Sequence, residues 1–459
     1  MSWKRLSGGD LAMLWPDDLG WPQDIGVLAI LDGEGMYDPT AGFCIRELQD
    51  RIASRLDFLP RFRQRLHQPG FGQGQPYWAD DPSFDITRHV RLQELPKPGD
   101  ESQLLEACER LRRQRFETAH PLWEFCFLNG LPDGRVGLFI KLHHTVADGA
   151  AGVAALAAFL DTSPDESAPT LFPWNPEPPP TRIELIQDNL RNHSKRLRHA
   201  LSALLHPVSL LRRIRMAATE VRRILGEAKA PKTSLNRRIG DRRRLALVRS
   251  ELDTFKEAAH SAGGTVNDVL LDAVAGGLRD LLAARGEPIE HLMPRAIVPI
   301  AGGHDAESGN QTISGMLVPL PVGDPDAHHR LKTIAAETNV RKRNPLSYDE
   351  AGILSSPTMQ RMSARLAGRQ RISNIYVANL PGPPTPLYLG PARILALYPI
   401  VPLIGNTTIG VGALSYAGHF NLTVVADHDA CPDLGVFVEG LGNTLNHLTA
   451  SANAPRLSP

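Results

Sequence analysis

Apolar residues between Ser102 and Phe116 recur at three- and four-residue steps, with Leu104, Leu105, Cys108 and Leu111 on one side. That spacing predicts an amphipathic helix. The next apolar stretch, GRVGLFIKL (134–142), alternates well enough to predict a strand. GAAGVAALAAFL (149–160) is apolar all round, the mark of a buried helix. Beyond residue 245 the same mixture returns. SELDTFKEAAHSAG and VNDVLLDAVAGGLRDLLAAR carry helical spacing, whereas RAIVPI, SGMLVPLPV, ARILALYPI and FNLTVVAD read as strands.

Two segments interrupt this pattern. Residues 161–181, DTSPDESAPTLFPWNPEPPPT, are dense in proline, which excludes both helix and central strand and marks a linker. Residues 182–244 are helical in pattern and basic, with 17 Lys/Arg against 5 Asp/Glu. The chain therefore divides into an N-terminal unit (1–160), a connector with a basic helical segment (161–244) and a C-terminal unit (245–459). Mixed strands and helices on both sides of the connector predict two α/β domains of similar build.

Composition narrows the function classes. At 459 residues the chain exceeds one ordinary core, and 42% hydrophobic with 22% charged residues is the balance of a folded soluble protein. Fifty basic residues offset fifty acidic ones, so global charge points to no nucleic-acid partner. The four cysteines, Cys44, Cys108, Cys126 and Cys431, form no C-x-x-C pair, which argues against a disulfide framework or zinc site and for a reducing cytoplasmic setting. The N-terminus has no apolar core of a signal peptide. The longest apolar candidate for a membrane span, Ala392 to Leu414, is broken by Arg393, Pro399, Pro402 and Asn406.

The chemistry concentrates at FIKLHHTVADGAAG (139–152), where His143 and His144 close the predicted strand and Asp148-Gly149 precede the helix. Successive strand residues point to opposite faces, so the two imidazoles do not share one cavity. One can act as a base while the other packs or hydrogen bonds. Imidazole suits base catalysis because it titrates near pH ~6.5. Gly149 allows the sharp exit into the helix. Asp148 can cap that helix or pair with an arginine that braces the loop. A lone histidine in apolar surroundings is ordinarily a hydrogen-bonded core residue; the doublet, the Asp-Gly offset and the strand-to-helix context favour function. No G-x-S-x-G elbow is present. DAHHRLKTI (326–334) has no Asp-Gly after its histidine pair and reads as a solvated helix start. Asp427, His428 and Asp429 are adjacent and splay apart, so no metal is expected.

H-H-x-x-x-D-G at residues 143–149 resembles the signature of the CoA-dependent acyltransferase superfamily. Further segments resemble the bacterial wax ester synthase/diacylglycerol acyltransferase family: PRFRQRL (60–66), FDITRHVR (84–91), HPLWEF (120–125), PWNPEPPPT (173–181), VNDVLLDAVAGGLR (266–279), ANLPGPPTPLYL (378–389), ALSYAG (413–418) and ADHDACPDL (426–434). The motifs run in order along nearly the whole chain. PQDIG (22–26) departs from the family, which more often carries a Met-His pair before Ile-Gly.

The resemblance implies an α/β fold of two chloramphenicol-acetyltransferase-like domains, mixed sheets flanked by helices, with an active-site tunnel at their interface. It implies transfer of a long-chain acyl group from acyl-CoA to diacylglycerol, giving triacylglycerol, or to a long-chain alcohol, giving a wax ester. Acyl-CoA is then a co-substrate, with no further cofactor and no metal. His144 maps to the general base, with His143 and Asp148 beside it and Gly149 as a structural member. Pro121, Leu122, Trp123, Asn267 and Asp268 are family motif positions, read as mainly architectural. Asn267 is also a candidate oxyanion donor, and Arg295 a candidate partner for Asp148. Two alternatives stay open: an acyltransferase of secondary metabolism, and a catalytically silent lipid-binding protein of the same fold.

In residues 206–226, Leu210, Ile214, Ala217, Val221 and Ile224 fall at helical steps among Arg212, Arg213, Arg215, Arg222 and Arg223. Such a helix can lie in an anionic lipid interface, present guanidiniums to CoA phosphates, or connect domains with its apolar stripe packed inward. The first reading would place the protein peripherally on the inner face of the membrane or on lipid droplets.

Overall fold

The computed structural model describes residues 3–40, 42–147, 149–164, 169, 174–205, 215, 229–300, 314–343, 346–347 and 357–452. Two mixed sheets dominate. The first contains, in spatial order, Tyr388–Leu389, Ala392–Ile400, Asp24–Leu31, Val136–His143, Trp123–Asn129 and Val90–Glu94. The second runs Arg243–Glu251, His419–Asp427, Ile409–Tyr416, Ile375–Leu380, Arg295–Ile300, Ser314–Pro319 and Leu346–Ser347.

Most predicted elements form where the patterns placed them, but the helical pattern read over 182–244 gives a helix at Arg182–Leu205 and none over 229–242, and the strand Arg243–Glu251 starts before residue 245. GRVGLFIKL lies in the buried strand Val136–His143. The helix over Glu101–Arg113 buries Leu104, Ala107, Cys108 and Leu111, and Asp100 with Gln103 closes its start as a capping box. VNDVLLDAVAGGLR opens the helix Val266–Ala284, whose Thr265 and Asp268 form a second capping box. The His328-His329 pair sits at a helix start, where Asp326 accepts hydrogen bonds from both backbone N–H groups. The segment 206–226 lies outside the described residues apart from Arg215.

The apolar run Ala392–Leu414 forms no helix. It supplies two strands that belong to different sheets: Ala392–Ile400 joins the first and Ile409–Tyr416 the second. No helix among the described residues is long and apolar enough to span a bilayer. Ala392–Ile400 pairs antiparallel with Asp24–Leu31, so a strand encoded late in the chain completes a sheet begun near its start. This exchanged strand packs close to the second sheet. A Cβ added at Gly412 would sit 2.9 Å from the Pro399 carbonyl oxygen and 3.0 Å from Val401, so only glycine permits the approach.

The family-like segments around 378–389 and 413–418 fasten the same seam. Tyr416 Oη accepts from the Leu387 N–H at 2.8 Å and donates to the Ile394 carbonyl at 3.0 Å. Ala417 and Gly418, at φ 46° and 85°, make the two-residue hairpin turn that follows. Between the sheets lies an apolar layer in which Leu28, Phe139 and Tyr398 of the first pack with Ala378 and Val425 of the second.

Candidate active site

Strand pairing assembles the site from residues distant in sequence. Asp24–Leu31 runs antiparallel to Val136–His143 in a register that places Asp24 directly opposite His143. On the other flank, the His143 N–H donates to the Leu122 carbonyl at 2.9 Å, and the His144 N–H donates to the Gln23 carbonyl at 2.9 Å. The two imidazoles are thus anchored through their backbones by opposite neighbours, and the chain turns immediately after them into the helix beginning at Gly149.

The His143 ring is fully committed. Its Nδ1 receives the Thr145 backbone N–H at 3.2 Å and lies 2.7 Å from Thr145 Oγ1. A nitrogen that accepts a backbone N–H carries no proton of its own, so Nε2 is the protonated nitrogen. Nε2 lies 2.9 Å from Asp17 Oδ2 and donates to it. Asp17 is itself held, since its Oδ1 accepts the Gln23 N–H at 3.0 Å. With the ring buried and both nitrogens occupied, His143 has no lone pair for a substrate. The second histidine occupies the turn rather than the strand and is only partly buried.

Two charged side chains beside His143, Asp24 and Lys141, are buried. Asp24 is buried, and that burial pushes its carboxyl up to about 6, partly countered by Lys141 and His143. Burial likewise lowers Lys141. Its ammonium donates to the Leu111 and Gln114 carbonyls at 3.0 and 2.5 Å and sits 4.2 Å from the centre of the Phe116 ring. The departure at residues 22–26 therefore falls on a carboxyl opposite His143.

Trp123 is a core aromatic. Its Nε1–H donates to the Phe62 carbonyl at 2.7 Å, and its ring stacks on His89 at 4.5 Å and contacts Phe62, Phe125 and Phe159. Burial pushes His89 down to about 4. Pro121 and Leu122 are buried in the turn that supplies the carbonyl to His143, so this segment positions the doublet through its backbone.

The second-half motif residues behave differently. Asp268 is buried, and its carboxylate accepts from Thr265 N–H and Oγ1, both at 2.7 Å, and from Thr338 Oγ1 at 2.6 Å. It closes a helix start and braces a neighbouring helix. Asn267 is half-buried in the first turn of the same helix. Arg295 is buried at the head of its strand, where its N–H donates to Asn374 Oδ1 at 2.9 Å. Asp148 lies outside the described residues. Asp427 is held by the Arg243 guanidinium at 3.2 Å and by the Gly240 N–H at 2.7 Å. No group of three or more His, Cys, Asp or Glu poised for a metal occurs among the described residues.

Asp17, Asp24, Lys141 and Thr145 escaped the sequence reading as site residues. Only PQDIG carried a signal, through its departure from the family pattern. Asp17 carried none, because its contact with His143 spans 126 positions. A cavity of about 350 Å³ bounded by Met36, Leu48, Arg51 and Leu389 lies at the opposite end of the first sheet's strands from the histidines.

Comparison with known proteins agrees with this architecture. Residues 6–270 match the wax ester synthase/diacylglycerol acyltransferase catalytic domain, and residues 308–449 match the WS/DGAT C-terminal domain. The "probable diacyglycerol O-acyltransferase tgs1" of Mycobacterium tuberculosis H37Rv is 30% identical over 437 residues, covering 93% of this chain and 91% of its own. The "probable diacyglycerol O-acyltransferase tgs2" of the same strain is 29% identical over 427 residues, with 91% and 93% covered. Among solved structures, the wax ester synthase/diacylglycerol acyltransferase from Marinobacter aquaeolei VT8 shares the fold at TM-score 0.72 and 23% identity, over 98% of this chain and 100% of that one. The first condensation domain of the calcium-dependent antibiotic synthetase shares it at TM-score 0.62 and 15% identity, over 99% and 97%. With both domains matched in order and a relative at 30% identity across nearly its full length, the chain belongs to the wax ester synthase/diacylglycerol acyltransferase family.

Proposed function

We propose that this protein is an acyl-CoA-dependent O-acyltransferase that esterifies diacylglycerol or a long-chain alcohol, with His144 as its general base. One observation carries the assignment of the base: both ring nitrogens of His143 are engaged by Thr145 and Asp17, so within the doublet the base role falls to His144. The family's name supplies the reaction class.

In this reading His144 takes the hydroxyl proton as the alcohol oxygen attacks the thioester carbonyl carbon. The carbon–oxygen bond forms, the carbonyl becomes an oxyanion, and its collapse breaks the carbon–sulfur bond. The imidazolium returns its proton to the departing CoA sulfur. A base so placed contributes about 10²–10⁴-fold in rate. The oxyanion requires a donor, often worth ~3–4 kcal/mol. Asn267 offers an amide for that role, whereas the Asp268 carboxylate is already filled by Thr265 and Thr338. His143 acts by holding the turn: its ring ties Thr145 to Asp17, and so fixes the backbone from which His144 projects. Gly149 and the Pro121–Leu122–Trp123 turn serve the same placement. Arg295 is retained as the partner of Asp148. No metal is required. Because the acceptors are insoluble, the enzyme works as a peripheral protein at a lipid surface.

Release of free CoA from palmitoyl-CoA in the presence of diolein or hexadecanol tests the proposal. Wild type should release CoA and His144→Ala should not. Equal release by both would remove His144 from the mechanism, and a product profile with both acceptors in one tube ranks them.

A further inference from the structure

The helix Pro357–Ala367 packs one side on the N-terminal helix Gly8–Leu14, and no described residue covers the other. On the inner side, Gln360 Nε2 donates to the Gly8 carbonyl at 2.9 Å and Ala364 joins the cluster around Leu11 and Trp15. The outer side follows a helical stripe of Met362, Arg365, Leu366 and Arg369, all exposed, with Leu366 63% accessible. Past the helix, Arg371 and Ile372 continue the same composition in the open. Residues 357–374 contain no acidic side chain.

A second strip of chain enlarges this surface. Ala230 N–H donates to the Arg371 carbonyl at 2.8 Å, and Asn236 Nδ2 donates to the Ser373 carbonyl at 3.1 Å. That segment carries Lys232, Arg237 and Arg238, again exposed, and residues 228–240 contain no acidic residue. Glu287 accepts from the Ser234 N–H at 3.0 Å and Asp427 from the Gly240 N–H at 2.7 Å, and among the described residues neither forms an ion pair with Lys232, Arg237 or Arg238. Met362, Leu366 and Ile372 lose free energy by standing in water, and the cations around them repel one another with no carboxylate in either segment to offset them, although the Arg371 guanidinium donates to the Ala230 carbonyl at 3.0 Å. An interface with hydrocarbon below and phosphate above satisfies both at once.

The surface adjoins the histidine doublet through a short chain of contacts. An added Cβ at Gly368 would lie 3.3 Å from the Trp21 ring, Gln23 Nε2 donates to the Trp21 carbonyl at 2.9 Å, and the Gln23 carbonyl accepts from His144 N–H. We propose that the face formed by residues 361–372 and 229–238 docks on an anionic phospholipid surface, with Leu366 and Ile372 inserted and the flanking arginines on headgroup phosphates. The proposal rests on the acyltransferase reading, which supplies the need for a lipid-borne acceptor beside His144.

Flotation of the full chain with phosphatidylcholine vesicles, with and without phosphatidylglycerol, tests it. Wild type should partition to the vesicles that contain phosphatidylglycerol. Combined Arg365→Gln, Arg369→Gln and Arg371→Gln should weaken that partitioning roughly tenfold or more. Leu366→Ser with Ile372→Ser should weaken it as well. Turnover of a short-chain acyl-CoA with a short, soluble alcohol, read on the same samples, should be unchanged in both variants. Wild-type chain that fails to float, or variants that float equally, would overturn the docking face. A raised KM for the soluble acyl-CoA in the arginine variant would also overturn it, by assigning the cations to the co-substrate. Flotation with the expected losses but no CoA release by wild type on any acceptor would instead sink the acyltransferase reading and leave the docking face standing.

Discussion

The histidine doublet and the Asn267-Asp268 pair are both motif segments at a helix start, and in each the fold consumes one side chain. Asp268 spends its carboxylate on its own cap and on Thr338, with the Lys342 ammonium 4.0 Å away. At the doublet, one ring is similarly spent: His143 is locked between Thr145 and Asp17. The next residue, His144, stands in a turn held by the Gln23 carbonyl. A motif position is thus read by where its hydrogen-bonding capacity goes. Capacity consumed by the fold builds architecture; in the proposed mechanism the residue beside the locked ring, His144, is the one that acts on substrate.

The sharpest break in that comparison is His144→Ala against Asp268→Ala. The first should lower CoA release by about 10³-fold or more with an unchanged melting temperature. The second should cost about 3 kcal/mol in denaturant unfolding, because a helix cap and the Thr338 partner are lost together, while turnover per folded molecule persists. If Asp268→Ala instead abolished turnover at full stability, the architectural role would fall.

Asp24 gives the next effect. Its folded carboxyl sits at about 6, against ~3.9 in an unfolded chain. The folded state therefore keeps a proton that the unfolded chain sheds between those values. The Asp24 contribution is greatest below pH ~4 and declines as pH rises to 6, by up to ~3 kcal/mol. Asp24→Asn should abolish that decline, so the variant gains on wild type at pH 8 but not at pH 4. Parallel slopes for the two proteins would show that Asp24 is solvated. His89 has the opposite sign: burial takes it down to about 4, so its contribution is lost as pH falls from ~6.5 through 4. His89→Gln should spare the protein part of that acid loss, read by urea unfolding at pH 5.

The smallest effect sharpens the comparison. Asp17→Asn keeps the shape but weakens the bond to His143 Nε2. Turnover should fall about tenfold with KM unchanged, because the carboxylate positions and does not bind. A raised KM with constant turnover would place Asp17 against substrate.

Local pattern made most elements legible. The 3.6-residue spacing of Leu104, Cys108 and Leu111 and the apolar run to His143 are properties of neighbours in sequence, and the fold follows them. The doublet was legible for the same reason. Asp17 and Asp24 were not, because their meaning comes from strand register and a turn joining residues more than a hundred positions apart. The exchange of Ala392–Ile400 into the first sheet was equally hidden, since its composition suits either sheet.

That exchange has a consequence for how the chain comes into being. During synthesis, Asp24–Leu31 and its histidine-bearing neighbour emerge early, yet the edge they present stays open until residue 400 has left the ribosome. An unpaired edge of this length invites mispairing with other nascent chains. The N-terminal portion expressed alone should therefore aggregate, and co-expression of 380–459 in trans should rescue it only if the late strand can find its place.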